Sequence, residues 1–201
     1  MNGAPPRSSP CRLAVLLRAD AVRWHVMGLV AALNLPQGCI GAGFIRNMVW
    51  DHLHGRHSDC RAADIDVLYF DADRPDPQRE RRLEAALAAQ APGFRWSVRN
   101  QARMHRRNGD SPYGSVADAM RHWPETATAI AAHRTGAHSI AAQCTLIAPF
   151  STADLFGLIL RPASASPAKL AAFRSRMERK RWRERWPGLR VAPPYPSWTG
   201  V

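Results

Sequence analysis

The sequence predicts an α+β fold, close in character to α/β, in which a mixed sheet is flanked by helices. Three observations support this class. Several segments carry apolar residues at helical spacing, short runs of β-branched and aromatic residues lie between them, and the composition is that of a globular protein. The chain has 201 residues, of which 46% are apolar and 22% charged, so one domain is expected.

The first half alternates helices and strands. Apolar residues at helical spacing predict helices over 18–33, which Pro36 stops, and over 44–53, which Gly55 caps. Between them, a short strand ends in Gly41-Ala42-Gly43. Residues 64–70 read as a buried strand because they are rich in β-branched and aromatic side chains.

The second half continues the alternation. The pattern predicts a helix over 77–90, a strand over 94–98, a loop over 106–113 and a helix over 115–122 with Ser115 as N-cap. The pattern then predicts a hairpin formed by residues 126–134 and 138–147. A short strand over 155–160 and a basic helix over 168–186 follow it. We therefore expect a C-terminal hairpin and a basic helix beside the sheet.

The domain boundaries follow from the Pro-, Gly- and Ser-rich ends. We predict a disordered tail over 1–11, a single domain over 12–190 and an irregular C-terminal tail over 191–201. The apolar runs are much shorter than the ~18–20 residues of a membrane span, and the first ten residues lack a signal-peptide layout. The four cysteines form no Cys-x-x-Cys pair, so they read as reduced thiols. These features predict a cytoplasmic protein that does not contact membranes.

The charge is strongly basic, at +12, and much of it is local. Nine Lys or Arg and two Glu lie between Lys169 and Arg190. A basic segment attracts nucleotides and nucleic acid, although it is equally typical of a solvated helix. Trp182 and Trp186 lie one helical turn apart in this segment, where they could stack on bases or dock the helix on the domain.

Two short motifs together suggest chemistry. Glycines in Gly41-Ala42-Gly43 would let a phosphate approach the backbone at the start of a helix. Asp64 and Asp66 alternate along a strand and therefore project from the same face. Adjacent carboxylates repel each other, and a divalent cation relieves that repulsion, so the pair predicts Mg²⁺, with Mn²⁺ as a possible substitute.

These motifs resemble the nucleotidyltransferase superfamily, which has a polymerase-β-like palm. The segments Gly-Ala-Gly-Phe-Ile-Arg-Asn (41–47), Leu-His-Gly-Arg (53–56) and Asp-Ile-Asp (64–66) are similar to the head of CCA-adding enzymes and bacterial poly(A) polymerases. Over a longer range, about residues 12–190, the chain resembles a family of small bacterial nucleotidyltransferase-like proteins. Further segments that match include WSVRNQARMH (96–105) and WPETATA (123–129).

The resemblance implies a reaction and assigns residues to it. An acceptor hydroxyl would attack the α-phosphate of an NTP and release pyrophosphate. Asp64 and Asp66 would be catalytic and would hold the metal, while Gly41, Ala42, Gly43 and Arg46 would bind the nucleotide. The acceptor is unknown, with RNA and a small molecule as candidates.

Two further expectations concern groups near these motifs. Arg103 and His105 follow a strand in a polar stretch, and we interpret Arg103 as a nucleotide-binding residue, the alternative being a polar surface loop. His52, His54, His57 and Cys60 are close in sequence, but their spacing fits no usual zinc site.

One departure from the resembling enzymes leaves an alternative open. Active palm enzymes usually add a third carboxylate from a later strand, whereas residues 94–98 lead to Asn100 without Asp or Glu. Asp71, Asp110 or Glu125 could replace it from loops. Otherwise the chain is a catalytically degenerate module that binds nucleotides or nucleic acid on the same fold.

Overall fold

A computed structural model describes residues 9–136 and 143–195 of the chain. The elements of the first half are α1, α2, β1, α3, β2, α4 and β3, which comprise Ser9–Ala19, Ala21–Ala32, Cys39–Gly41, Gly43–Leu53, Asp64–Tyr69, Pro77–Gln90 and Arg95–Asn100. A 3₁₀ turn at Cys60–Ala62 precedes β2. The predicted helices at 44–53 and 77–90 and the strand at 64–70 are thereby confirmed.

The second half contains smaller elements. They are α5, α6, β4, β5, α7, β6, α8, α9 and β7, which comprise Gln101–Asn108, Val116–Arg121, Ala131–Arg134, Cys144–Ile147, Ala153–Phe156, Ile159–Leu160, Pro167–Lys180, Trp182–Arg185 and Arg190–Val191. None of the helices within the described ranges is both long and apolar enough to cross a membrane.

The main sheet has five strands in the order β3-β2-β1-β4-β5. Strands β2 and β3 run parallel, and the other neighbours are antiparallel, so the sheet is mixed as predicted. The β4–β5 pair forms the predicted hairpin, with Ala131 opposite Ile147. Its strands are shorter than predicted, and residues 137–142 of that prediction lie outside the described residues.

The two faces of the central strand β2 have different surroundings. Ile65, Val67 and Tyr69 are fully buried in the main core, together with α3 residues such as Trp50. On the opposite face, Asp64 is exposed and Asp66 half-buried, while Leu68 joins a smaller apolar cluster. The side-chain alternation of a strand thus places the two carboxylates together, away from the main core.

The N-terminal helix differs from its prediction over 18–33. Asp20 ends α1 and caps α2, because its side chain accepts a hydrogen bond from the Arg23 backbone N–H at 2.9 Å. Helix α1 begins at Ser9, so the last three residues of the predicted tail are helical. The prediction assigned Pro10 to the tail because proline usually interrupts helices. Proline is, however, tolerated in the first turn of a helix, where Pro10 lies.

The predicted loop over 106–113 is partly wrong. Asn100 caps α5 by accepting from the Ala102 N–H at 3.1 Å, and the helix continues to Asn108. Gly109 ends it in the left-handed region, with φ of 68°. The polar composition of the segment concealed this helix, which packs through few apolar residues.

Three further predictions need correction near the C-terminus. The predicted strand at 155–160 is split into the helical turn α7 and the short strand β6. The predicted basic helix over 168–186 breaks at Arg181, whose φ of 48° separates α8 from α9. Strand β7 pairs with β6, so Val191, predicted to begin an irregular tail, lies in a two-stranded sheet.

Candidate functional site

Strand pairing brings the two predicted motifs together. Asp66 lies opposite Gly41 in the β1–β2 ladder, and α3 begins two residues after Gly41. A cavity of about 380 Å³ opens beside them and is lined by Ala42, Gly43, Asp64 and Asp66. We call it the cationic pocket because five basic residues also line it: Arg46, Arg95, Arg176, Lys180 and Arg185.

The turn between β1 and α3 has an unusual backbone. Ala42 has a φ of 55° and donates its N–H to the Ile130 carbonyl at 3.1 Å. No side chain caps α3, whose first N–H groups have no partner within the helix. Gly43, the first residue of α3, lines the cationic pocket, where its N–H could donate to an anion.

The two glycines of this turn have different surroundings. A Cβ on Gly41 would lie 3.1 Å from both the Ile130 carbonyl oxygen and Leu68 Cδ1, so the glycine permits close strand packing. Gly43 lines the pocket, and a Cβ there would meet only Arg46 and Asn47 at ordinary distances. Of the predicted phosphate turn, Ala42 and Gly43 therefore face the pocket, whereas Gly41 supports the sheet.

The two carboxylates differ in their electrostatic environment. Asp64 Oδ1 accepts from Arg95 Nε at 2.9 Å, and about two thirds of each side chain is exposed. Within residues 9–136 and 143–195, Asp66 forms no ion pair. Burial, followed by repulsion from Asp64, raises the pKa of Asp66 to about 6, although Arg46, Arg176 and Lys180 oppose the rise.

Arg46 projects from the first turn of α3 and is nearly fully buried. Its Nη1 donates to Thr128 Oγ1 at 2.7 Å and its Nη2 to Asn47 Oδ1 at 3.0 Å. The guanidinium also lies 4.6 Å from the centre of the Trp182 ring. Burial lowers the pKa of Arg46 to about 10, and its Nε has no hydrogen-bond partner in the described structure.

Sequence reasoning missed the contribution of the C-terminal helices to this pocket. Arg176 and Lys180 on α8 and Arg185 on α9 line it, opposite the carboxylates. The basic segment did indicate a common basic surface, since residues 176 and 180 are four apart and lie on one helical face. The sequence could not place that face over β2 because the contact is made over a long separation along the chain.

Arg103 is not part of the pocket. It lies on α5, where Nε donates to Glu80 Oε1 at 2.6 Å and Nη2 contacts Glu80 Oε2. The hydrogen bond to Glu80 raises the pKa of Arg103. Because residues 101–108 are helical, Arg103 and His105 do not share a face as they would on a strand. The structure thus separates Arg103 from the other predicted nucleotide-binding residues.

No described residue supplies a third carboxylate to the pocket. In the β2–β3 register, Asp64 and Asp66 face Arg95 and Ser97. The three candidates that the sequence offered are each engaged with a basic residue. They form the ion pairs Asp71–Arg79, Asp110–Lys169 and Glu125–Arg176.

The four residues considered as zinc ligands lie in different surroundings. The Nδ1 atom of His54 is 2.7 Å from the Trp50 carbonyl oxygen, and its Nε2 accepts from the Gly188 N–H at 3.1 Å. His52, His57 and Cys60 border a separate cavity of about 520 Å³. Across the described parts of the chain, no three His, Cys, Asp or Glu side chains are grouped as metal ligands.

The two tryptophans of the basic segment dock it on the domain. Trp182 and Trp186 are buried, and both pack edge-on against Trp50 of α3. Trp186 Nε1 also donates to Asp51 Oδ1 at 2.8 Å. These rings are therefore core residues that dock α8 and α9 on the domain, and their burial leaves little ring surface on which a nucleic-acid base could stack.

The geometry agrees with the comparisons to known proteins. A family model described as nucleotidyltransferase matches residues 28–191. A comparison with curated protein sequences gave no significant match. Among solved structures, one NMR structure, described as revealing a CCA-adding enzyme head domain, superposes with a TM-score of 0.79 at 23% identity. It covers 94% of this chain and 97% of that chain.

Larger enzymes share the same fold over part of their length. The Thermotoga maritima CCA-adding enzyme complexed with tRNA gives a TM-score of 0.54 at 16% identity, and a CCA-adding enzyme in an apo form gives 0.56 at 15%. The match covers 90% of this chain and 42% of each enzyme, so the chain spans about two fifths of their length. These similarities confirm the predicted fold.

Proposed function

The chain belongs to a nucleotidyltransferase family, and on that basis we propose that it transfers a nucleoside monophosphate from an NTP to an acceptor hydroxyl. One observation carries the proposal. Asp66 faces the cationic pocket without an ion-pair partner within the described residues, and its pKa is raised to about 6. The ionised form of a partly buried carboxylate without a partner is strongly stabilised by an added cation.

The residues present fit a magnesium site. Mg²⁺ usually takes one or two carboxylates and completes its ligands with water and substrate phosphates. Asp64 and Asp66 would hold it, and Mn²⁺ could replace it. When bound, the metal would neutralise charge on the phosphates. The Asp64–Arg95 pair is solvent-exposed, so little energy opposes its opening to admit a metal.

The chain's own groups suit the binding of a triphosphate. The uncapped N–H groups of α3 offer donors, and Arg46 and Lys180 add positive charge. Arg46 is held by Thr128 and Asn47, so it is already oriented. Such fixed donors lower the cost of binding and favour in-line placement of the reacting phosphate, which is the main requirement of phosphoryl transfer.

The acceptor is proposed only as a class. RNA and a small molecule with a free hydroxyl are both compatible with a basic, open pocket. One of the similar structures is an enzyme complexed with tRNA, and this supports testing RNA first.

A second candidate is a non-catalytic nucleotide-binding module. It is favoured by one specific observation, namely that Arg95 faces Asp64 on the strand where an acidic residue is absent. This candidate shares the fold and the NTP pocket but makes no transfer product.

Incubation with α-³²P-labelled NTPs, Mg²⁺ and cell extract tests the proposal. We expect label transfer that falls at least 100-fold in Asp64→Asn and in Asp66→Asn, while Asp73→Asn, an exposed control, transfers as the wild type does. NTP binding by calorimetry without label transfer would select the non-catalytic module. Absence of both binding and transfer would reject the two candidates.

A further inference from the structure

A second cavity of about 430 Å³ adjoins the cationic pocket. The two share Ala42, Asp66 and Arg176 in their lining, so Asp66 stands at their boundary. We call the second one the amphipathic pocket. Apolar side chains of Leu68, Met104, Trp123 and Pro124 line it, with the amides of Gln101 and Asn108 beside them. Polar and charged side chains complete the lining, and a combination of apolar surface with polar groups suits a small-molecule site.

Helix α8 covers both pockets with one face. Ala168, Ala172, Arg176 and Lys180 follow each other at intervals of four residues and therefore lie in one row along the helix. The two alanines border the amphipathic pocket, Lys180 borders the cationic pocket, and Arg176 borders both. The row changes from small to basic at the boundary marked by Asp66.

The charges of the two pockets are compensated differently. Each basic residue of lysine or arginine type in the amphipathic pocket has a carboxylate partner: Arg99 pairs with Glu84, Lys169 with Asp110 and Arg176 with Glu125. In the cationic pocket, Arg46 and Lys180 have no ion pair among residues 9–136 and 143–195. Positive charge is therefore available to an anion on one side of Asp66 and neutralised on the other.

This division matches the two halves of a nucleotide. A triphosphate needs uncompensated positive charge, whereas a nucleoside is neutral, with an aromatic face and polar edges. Trp123 and Met104 offer surfaces on which a base can stack, and the two amides offer hydrogen-bonding groups for its edges. The volume lies within the range of small-molecule pockets.

We infer that the amphipathic pocket holds the nucleoside of the NTP whose phosphates lie in the cationic pocket. This inference rests on the proposed function and extends it by assigning the site of base recognition. The α-phosphate, which joins the two halves, then lies beside Asp66. The acceptor approaches from the open side of the cationic pocket.

Filling the amphipathic pocket tests the inference. Ala172→Leu places a larger side chain into it from an exposed position on α8, and Ala171→Leu makes the same change at an exposed neighbour that does not line either pocket. Affinities for each of the four NTPs and for inorganic tripolyphosphate, all with Mg²⁺, are measured by calorimetry. Tripolyphosphate reports on the cationic pocket alone.

We expect the wild type to bind at least one NTP ten times more tightly than tripolyphosphate. Ala172→Leu removes that advantage and leaves tripolyphosphate affinity within twofold, and Ala171→Leu changes neither. Unchanged NTP affinity in Ala172→Leu would overturn the inference and leave the proposed function standing. Loss of label transfer in Ala172→Leu with retained NTP affinity would also overturn the inference, since the acceptor would then occupy the amphipathic pocket. A wild type that binds neither probe would reject the proposed function and the inference with it.

Discussion

The buried carboxylates of the scaffold and the carboxylate of Asp66 in the cationic pocket differ in whether they form an ion pair. Five acidic side chains of the described structure are buried, and each pairs with an arginine. The pairs are Asp51–Arg185, Asp71–Arg79, Glu80–Arg103, Glu125–Arg176 and Asp154–Arg161. Asp66 is partly buried in a pocket lined by arginine and lysine, yet it pairs with none of them. The fold thus neutralises these five buried acids internally, whereas Asp66 has no ion-pair partner among the described residues.

The difference lies in geometry. Glu80 accepts from the Asn100 backbone N–H at 2.9 Å as well as from Arg103, so all of its charge is used within the fold. Asp66 instead lines the pocket beside Asp64, where neighbouring basic groups oppose the rise of its pKa without forming an ion pair with it. Burial without a partner is unfavourable for a carboxylate, and this is why the pKa of Asp66 is raised.

The largest effect on stability is expected where a structural pair is broken. Arg103→Ala leaves the buried Glu80 without its main partner and should lower the free energy of unfolding by about 3 kcal/mol. Urea unfolding measures this change, and calorimetry should show NTP affinity unchanged because Arg103 lies outside the pocket. Arg81→Ala, at an exposed position of the same region, should cost less than about 0.5 kcal/mol. Weakened NTP binding in the folded Arg103 variant would contradict this separation.

Replacement of Asp66 by asparagine is expected to stabilise the protein. Asp66 has a pKa of about 6 in the folded protein and 3.8 in its ordinary state, so folding takes up a proton between these values. The stability contributed by the protonated form is complete below pH 4 and is lost as the pH rises through 6. Asp66→Asn should therefore raise the free energy of unfolding by about 1–3 kcal/mol at pH 8. Near pH 4 the two proteins should unfold alike, and a variant that is less stable than wild type at pH 8 would show that Asp66 has an internal partner.

The smallest effect is expected at the exposed pair. Arg95→Ala removes the partner of Asp64, but both side chains are about two thirds exposed. The free energy of unfolding should change by less than about 0.5 kcal/mol, as measured by urea titration. A loss of 2 kcal/mol or more would place this pair with the structural ones and would make Asp64 a poor metal ligand.

The sequence predicted local features well and long-range ones poorly. Helices 44–53 and 77–90 and strand 64–70 follow from periodicity, and the same periodicity correctly placed Asp64 and Asp66 on one face. The pairing of Gly41 with Asp66 was not predicted, although it joins two strands that follow each other along the chain. By contrast, Arg176 and Lys180 reach the pocket because Trp182 and Trp186 dock against Trp50, a contact between distant segments. Arg103 was predicted to lie with the nucleotide-binding residues because α5, the polar helix that carries it, resembles a loop in composition.

The carboxyl pKa of Asp66, followed by ¹³C NMR of the aspartate carboxyl groups, tests the central claim most directly. In the free protein we expect a value near 6. Addition of Mg²⁺ with an equimolar mixture of the four α,β-methylene NTP analogues should lower it by more than one unit, because the bound cation stabilises the ionised form. A pKa near 3.8 in the free protein, or a pKa that the metal and nucleotides leave unchanged, would show that Asp66 does not bind a cation at this site.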